Sequence, residues 1–248
     1  MVLSLDRWFG KVAVVTGASV GIGALISEKL VEAGIIVAGL ARRTQPIEEL
    51  SAKLKGKKGK LHAIKCDVTK ESDIKKAFWE VKKIGPIHIL INNAGLVQKT
   101  TLYNGDPEKW KNILEVNVLG TCMVTKEAIK DMTENKVAGQ IINMNSVLGH
   151  FVYNIPEANV YPASKHAITA LTEALRLELL DIDSSIKVTS VSPGPVSGTE
   201  FFSQDNLQVQ VKGFLKPENI TDTVMFVLST PPDMLVADVI LRPLKEPY

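Results

Sequence analysis

Short apolar runs alternate along the chain with longer stretches in which apolar residues recur every three or four positions. The short runs fall at 12–15, 35–40, 61–65, 87–91, 140–144, 187–191 and 238–241 and are rich in Val and Ile. Most are apolar on both faces, which suits parallel strands covered by helices on both sides. Between them, amphipathic periodicity predicts helices over 22–33, 74–83, 107–133, 160–180 and 217–228. In the first of these, Ile26, Leu30 and Ala33 share one stripe. A repeated strand-then-helix order predicts an α/β fold. It is a single-domain, Rossmann-type doubly wound parallel sheet of about seven strands with helices on both faces.

No stretch reads as a linker, so 1–248 is expected to form one dinucleotide-binding and catalytic domain. Its longest irregular segment, 193–213, starts at the C-terminal end of a strand. Ligands bind beyond such ends in open α/β sheets, so the segment reads as a substrate-covering loop. An ordinary surface excursion is the alternative.

Composition narrows the partners. The formal net charge is +2, from 29 basic against 27 acidic residues, which gives no footprint for nucleic acid. The lysine-rich run 53–60 follows a helical stretch, contains two glycines and reads as a solvated loop. Cys66 and Cys122 belong to no C-x-x-C pair or Cys/His cluster, so no metal site is expected. They read as reduced thiols of a cytoplasmic protein. Residues 1–10 carry Asp6 and Arg7 and lack the apolar core of a leader. No apolar run approaches the roughly 20 residues that cross a bilayer, so no membrane span is expected.

The first strand is followed by Thr16-Gly17-Ala18-Ser19-Val20-Gly21-Ile22-Gly23 and then a helix. Glycine permits the sharp turn and lets backbone approach a pyrophosphate, while the helix N-terminus offers unpaired N–H groups and a positive dipole end. The turn, including Ser19, Val20 and Ile22, is therefore a dinucleotide-binding candidate. The second strand ends in Arg42 and Arg43, with no acidic residue to hold a ribose 2′-hydroxyl. Guanidinium groups grip phosphate oxygens bidentately, so NADP(H) is favoured over NAD(H).

Tyr161-Pro162-Ala163-Ser164-Lys165 lies near the start of a predicted helix. Residues four apart share a helix face, so Tyr161 and Lys165 can address one cavity. A free phenol is a poor base at neutral pH, and a neighbouring ammonium is expected to lower its pKa. Such a pair can protonate a carbonyl oxygen or accept a hydroxyl proton. Lys165 can also hold a nicotinamide ribose. Ser146, after the fifth strand, can hydrogen-bond a substrate oxygen. His150 and His166 flank these motifs and read as non-catalytic. No G-x-S-x-G elbow of a serine hydrolase is present.

The spacing Thr-Gly-x-x-x-Gly-x-Gly resembles the short-chain dehydrogenase/reductase family, as do the later motifs in their order. The resemblance spans about 10–243. It implies that Asp67 and Val68 meet the adenine and that Asn93, Ala94 and Gly95 of Asn92-Asn93-Ala94-Gly95 lie along the cofactor. It implies a catalytic tetrad of Asn117, Ser146, Tyr161 and Lys165, with Asn117 supporting a proton relay through water. It also implies that Pro193, Gly194 and Val196 lie over the nicotinamide. Thr199 stands one residue beyond the usual spacing.

The opening 6–16, the stretch 39–43 and the closing 240–243 are similar to a branch of that family acting on farnesol- or geraniol-like terpenoid alcohols, or on steroid-like and other carbonyls. Phe151, Val152, Tyr153, Phe201, Phe202, Leu207 and Phe214 either line an apolar pocket for such a lipophilic alcohol or carbonyl or pack the covering loop. The family also implies a homodimer or homotetramer built on the helices 107–133 and 160–180. The alternatives are a steroid/prostaglandin or 3-ketoacyl reductase, and a non-catalytic NADP-binding regulatory protein.

Overall fold

A computed structural model of the chain describes residues 3–198 and 213–244. Seven strands form one sheet: β1 (Val12–Thr16), β2 (Ile36–Ala41), β3 (Lys60–Lys65), β4 (Ile87–Asn92), β5 (Gln140–Met144), β6 (Lys187–Pro193) and β7 (Asp238–Leu241). Their order is β3-β2-β1-β4-β5-β6-β7, and every neighbouring pair is parallel. The chain winds outward from β1 to β3, then returns to start again at β4 on the other side of β1. That reversal opens a crevice beyond the C-terminal ends of β1 and β4.

Among the described residues, seven α-helices cover the sheet: α1 (Gly21–Glu32), α2 (Gln45–Lys53), α3 (Glu71–Lys82), α4 (Pro107–Leu114), α5 (Thr121–Glu134), α6 (Val160–Asp181) and α7 (Pro217–Ser229). Strand side chains alternate between the faces. Ala13 and Val15 pack with Ile26, Leu30, Ile47 and Val224, so α1, α2 and α7 lie on one side. Val12 and Val14 pack in a second core with Phe78, Val81, Ala128 and Leu179, so α3, α5 and α6 lie on the other. Burial on both faces is why the central strands are mostly apolar. The edge strands β3 and β7 are more exposed than the strands between them.

The predicted helix 107–133 is corrected in one respect. It starts where expected, with Pro107 in its first turn and the Asp106 carboxylate accepting from the Glu108 N–H at 3.0 Å. A π-helical turn at Glu115–Gly120 then separates α4 from α5. Gly120 lies where a Cβ would stand 3.0 Å from the Val68 carbonyl, so the helix can press this close to the strand-end loop after β3.

The N-terminal segment seals one end of the layer formed by α1, α2 and α7. The Trp8 indole and the Arg7 guanidinium both donate to the Leu228 carbonyl, at 2.8 and 3.0 Å, satisfying an orphan carbonyl at the end of α7.

Ile89 is fully buried in the centre of the sheet. Ile89→Ala is expected to lower the unfolding free energy by about 2–5 kcal/mol, read from urea unfolding curves.

Candidate active site

The ends of β1 and β4 are stitched together by polar atoms. The Asn93 and Ala94 backbone N–H groups each donate to Thr16 Oγ1 at 3.0 Å, and the Thr16 hydroxyl donates to the Ile91 carbonyl at 3.4 Å. Asn93 Nδ2 returns across the gap to the Thr16 and Gly17 carbonyls at 3.0 and 3.2 Å. The asparagine thereby fixes the start of the glycine turn. Gly17 has φ +65 and Gly21 φ +60, both in the left-handed region that glycine adopts readily. A Cβ on Gly17 would stand 2.9 Å from Asn93 Nδ2, and one on Gly23 would collide with Asn93 and the Gly17 carbonyl.

This cradle fits a dinucleotide. The N-cap of α1, Val20, provides no side-chain acceptor, and the first turn has no acidic residue. Its N–H groups are thus uncapped by side chains and its positive dipole end is uncompensated, as an anionic pyrophosphate requires. Around Gly21 a Cβ would meet nothing within 4 Å, so the surface there is open. Ser19 is half-buried and Val20 exposed in the same turn, and Ile22 opens the helix.

Arg42 and Arg43 follow β2 directly and are both exposed. Across from them, after β3, lie Asp67 and Val68. Burial alone pushes the Asp67 carboxyl up. Hydrogen bonds from the Thr69 N–H at 3.1 Å and its hydroxyl at 2.8 Å, with the charge of Arg42, bring it below its ordinary value. Asp67 is therefore an anion beside a guanidinium. Gly95 is exposed at the end of the Asn93-Ala94-Gly95 turn, facing Asn117.

Four side chains from three elements meet on the β5 side of the crevice. Ser146 caps the short 3-10 turn Val147–Gly149 by accepting from the Leu148 N–H at 3.1 Å. Ser146 also hydrogen-bonds Tyr161. Lys165, one helical turn on, is 6% exposed, and its ammonium lies 5.7 Å from the Tyr161 ring centre. It donates to the Met144 carbonyl at 2.8 Å. Asn117, in the π-turn, accepts from the Leu96 N–H at 2.7 Å and donates to the Leu96 carbonyl and Ser164 Oγ, each at 2.9 Å. Ser164 Oγ in turn donates to the Tyr161 carbonyl at 2.7 Å. The chain Leu96–Asn117–Ser164–Tyr161 ties the loop after β4 to the start of α6.

The expected activation of the phenol is corrected here. In the protein by itself, burial pushes Tyr161 above its ordinary value, and the hydrogen bond with Ser146 only partly offsets this. Burial also lowers Lys165 to about 8. Desolvation outweighs the ammonium because both groups share one water-poor site. Tyr161 is thus a proton donor at neutral pH.

Several positioning residues escape the motif reading. Asn143 and Asn145 flank Met144 on β5. Asn143 Nδ2 donates to Thr172 Oγ1 at 2.9 Å and Asn145 Nδ2 to Thr169 Oγ1 at 2.8 Å. With the Lys165 bond to Met144, three consecutive residues at the end of β5 and just beyond it grip α6 at 165, 169 and 172. Asn92 extends the row, donating to Asn143 Oδ1 at 2.9 Å and Thr125 Oγ1 at 2.8 Å. The available signal was polar residues in otherwise apolar strands; their partners lie 24 to 33 residues away or more.

β6 ends at Pro193, and the Gly194 N–H donates to the Leu241 carbonyl at 2.7 Å. Val196 is buried and bridges Leu215. Thr199, Phe201, Phe202 and Leu207, and most of the covering loop, lie outside the described residues. His166 is exposed and turns its Nδ1 to the Pro162 carbonyl at 3.0 Å. Among the described residues, no group of three or more His, Cys, Asp or Glu is placed to hold a metal ion, and no helix is long and apolar enough to cross a membrane.

A parallel sheet reversing at β1/β4, a glycine turn at that reversal and a Ser/Tyr/Lys cluster beside it define an oxidoreductase of the Rossmann type. The chain belongs to the short-chain dehydrogenase/reductase family, whose short chain dehydrogenase profile matches residues 11–210. It is 45% identical to the farnesol dehydrogenase of Aedes aegypti over 98% of this chain and 100% of that protein. It is 41% identical to dehydrogenase/reductase SDR family member 11 of Bos taurus, over 98% of this chain and 99% of that one. Among solved structures, the alcohol dehydrogenase of Thermococcus sibiricus complexed with 5-hydroxy-NADP is similar at 28% identity and TM-score 0.82, covering 94% of this chain and 97% of that one.

Burial of Lys165 has a stability signature. The unfolded chain keeps this proton to about pH 10.5, whereas the folded protein releases it near 8. Between those values the unfolded state binds more protons, so stability rises with pH. Relative to Lys165→Met, the parent is expected to gain about 2–3 kcal/mol in unfolding free energy between pH 7 and 10, measured by urea titration at both values.

Proposed function

We propose that the chain is an NADP(H)-dependent alcohol dehydrogenase and carbonyl reductase whose substrate is a lipophilic terpenoid alcohol of the farnesol or geraniol kind. The hydrogen-bonded Ser146–Tyr161 pair with Lys165 beneath it is the observation that carries the reading. A binder without turnover has no use for a buried ammonium set against a phenol. The likeness to a farnesol dehydrogenase supports the substrate class. So do Phe151 and Tyr153, whose rings are stacked with centres 6.2 Å apart just after the Ser146 turn.

When bound, the dinucleotide supplies the two-electron chemistry by taking or giving a hydride. The glycine turn and the α1 N-terminus hold its pyrophosphate, and Asp67, Val68, Asn93, Ala94 and Gly95 line its path. Pro193, Gly194 and Val196 cover its far end. Arg42 and Arg43 favour the form with a 2′-phosphate, through paired N–H donors that an NAD site lacks. Ser146 orients the substrate oxygen toward Tyr161. The phenol gives its proton to a carbonyl oxygen in reduction and takes the hydroxyl proton in oxidation. Lys165 supports the phenolate and can hold ribose hydroxyls. Asn117 keeps the loop after β4 and the start of α6 in register beside a relay of water.

Leu114, Leu119, Leu171, Leu177 and Leu180 are exposed on α4, the π-turn and α6. This apolar surface supports a homodimer or homotetramer. The two cysteines are free thiols, which fits a reducing, cytoplasmic setting.

Three measurements test this reading by the absorbance of reduced nicotinamide. Purified protein is expected to oxidise farnesol or geraniol with NADP⁺, and Tyr161→Phe to lose at least about 100-fold in kcat. Turnover by the variant at the parent's rate, or NADPH binding without turnover of any terpenol, steroid alcohol or matching carbonyl, counts against it. Arg42→Ala is expected to raise KM for NADP⁺ by about tenfold or more and leave that for NAD⁺ unchanged. Because burial keeps Tyr161 protonated, oxidation is expected to accelerate from pH 6 to 8 while reduction does not.

A further inference from the structure

His150 stands four residues beyond Ser146, at the end of the same short turn. Its side chain is held by β6 and the edge strand β7. Nε2 lies 2.9 Å from Ser192 Oγ on β6 and 3.2 Å from Asp238 Oδ2 at the start of β7. The Ser192 hydroxyl donates to the other Asp238 oxygen at 3.2 Å. These contacts are mutually satisfied when Nε2 carries a proton shared between the hydroxyl and the carboxylate. Ser192 also meets Ser190 Oγ at 3.1 Å, and Ser190 accepts from Asn145 Nδ2 at 3.4 Å. The polar path therefore runs from His150 through Ser192 and Ser190 to Asn145, the residue before Ser146.

The next residue repeats the tie. The Phe151 ring lies under the Arg242 guanidinium at 4.8 Å, just past the end of β7. On the inner side the turn is held by Thr169 of α6, whose hydroxyl donates to the Gly149 carbonyl at 2.9 Å. The turn thus hangs between α6, which bears Tyr161 and Lys165, and β7, an edge strand of four residues. An aspartate opening a strand that continues Val239-Ile240-Leu241 has this partner to meet. The pair is partly exposed, with side-chain exposures of 16% and 35%. Such pairs add little to global stability, so its consequence is local geometry.

We propose that His150 is a positioning residue: gripped by Asp238 and Ser192, it anchors the turn carrying Ser146 to the edge strand β7 and so sets where the Ser146 hydroxyl stands against Tyr161. The catalytic half of this inference rests on the assignment of Ser146 and Tyr161 as the proton-handling pair. The anchoring half rests on the contacts alone.

The test compares the full-length parent with His150→Leu, which removes the donor, and His150→Gln, whose amide can donate from about the place of Nε2. Hydrogen exchange over 146–153, followed by mass spectrometry, is expected to quicken by about tenfold in His150→Leu and return toward the parent in His150→Gln. In the same proteins kcat for terpenol oxidation is expected to fall between about 10- and 100-fold in His150→Leu, with KM for NADP⁺ and the melting temperature unchanged, because misplacement acts on the reacting geometry. His150→Gln is expected to recover most of that loss. Parental exchange in His150→Leu overturns the anchor, as does equal exchange in the two variants, whatever the parent's activity. Altered exchange with parental kcat overturns the link to Ser146. A parent with no turnover counts against the enzymatic reading, while exchange still decides the anchor.

Discussion

The hydrogen bonds that join Thr16 to Asn93 and Ala94 are the constraint on which the rest of the site depends. Parallel strands must be connected by long crossovers, so nothing in the covalent chain holds the tips of β1 and β4 at a fixed separation. The β1/β4 ladder ends at Val15 and Ile91, and beyond it four polar contacts do so instead. They hold the crevice open on one side and orient the glycine turn on the other. The side-chain amide occupies the space a Cβ on Gly23 would need, so the glycine and the asparagine depend on each other.

A second constraint sits one strand over. Asn143, Met144 and Asn145 hold α6 at three levels, and Asn92 extends the row toward α5. Buried amides are costly unless paired, which makes them poor filler and strict guides. A helix packed only by Ile and Leu can rotate by a fraction of a turn with small loss. One whose hydroxyls must meet fixed amides cannot. Tyr161 and Lys165 inherit their aim from this row.

Most of the fold was legible because the central strands are apolar on both faces and separated by amphipathic runs. The glycine turn and the proximity of Tyr161 and Lys165 were legible because each is local: a strand followed by glycines, and two side chains one helical turn apart. What escaped was non-local or quantitative. The amide row joins residues distant in sequence, and Thr169 and Thr172 look like ordinary helix polar residues. The π-turn was hidden because one widened turn barely disturbs the apolar period on either side. The direction of the Tyr161 shift was misread because sequence reveals the neighbouring charge and not the burial opposing it. The covering loop keeps its status as an expectation, since its aromatic residues lie outside the described segments.

The π-turn at 115–120 has one more consequence. A regular α-helix locks the bearing of every side chain to that of every other, at about 100° per residue. The widened turn breaks that lock, so the two halves of the long helix keep separate angular settings. The later half turns Val124, Ala128 and Met132 into the core beside the sheet, while Asn117 faces Leu96 and Ser164. The turn is thus a phase adjuster between scaffold and chemistry. Removing one residue from it would restore a plain helix, and either the core face or the asparagine would then point the wrong way.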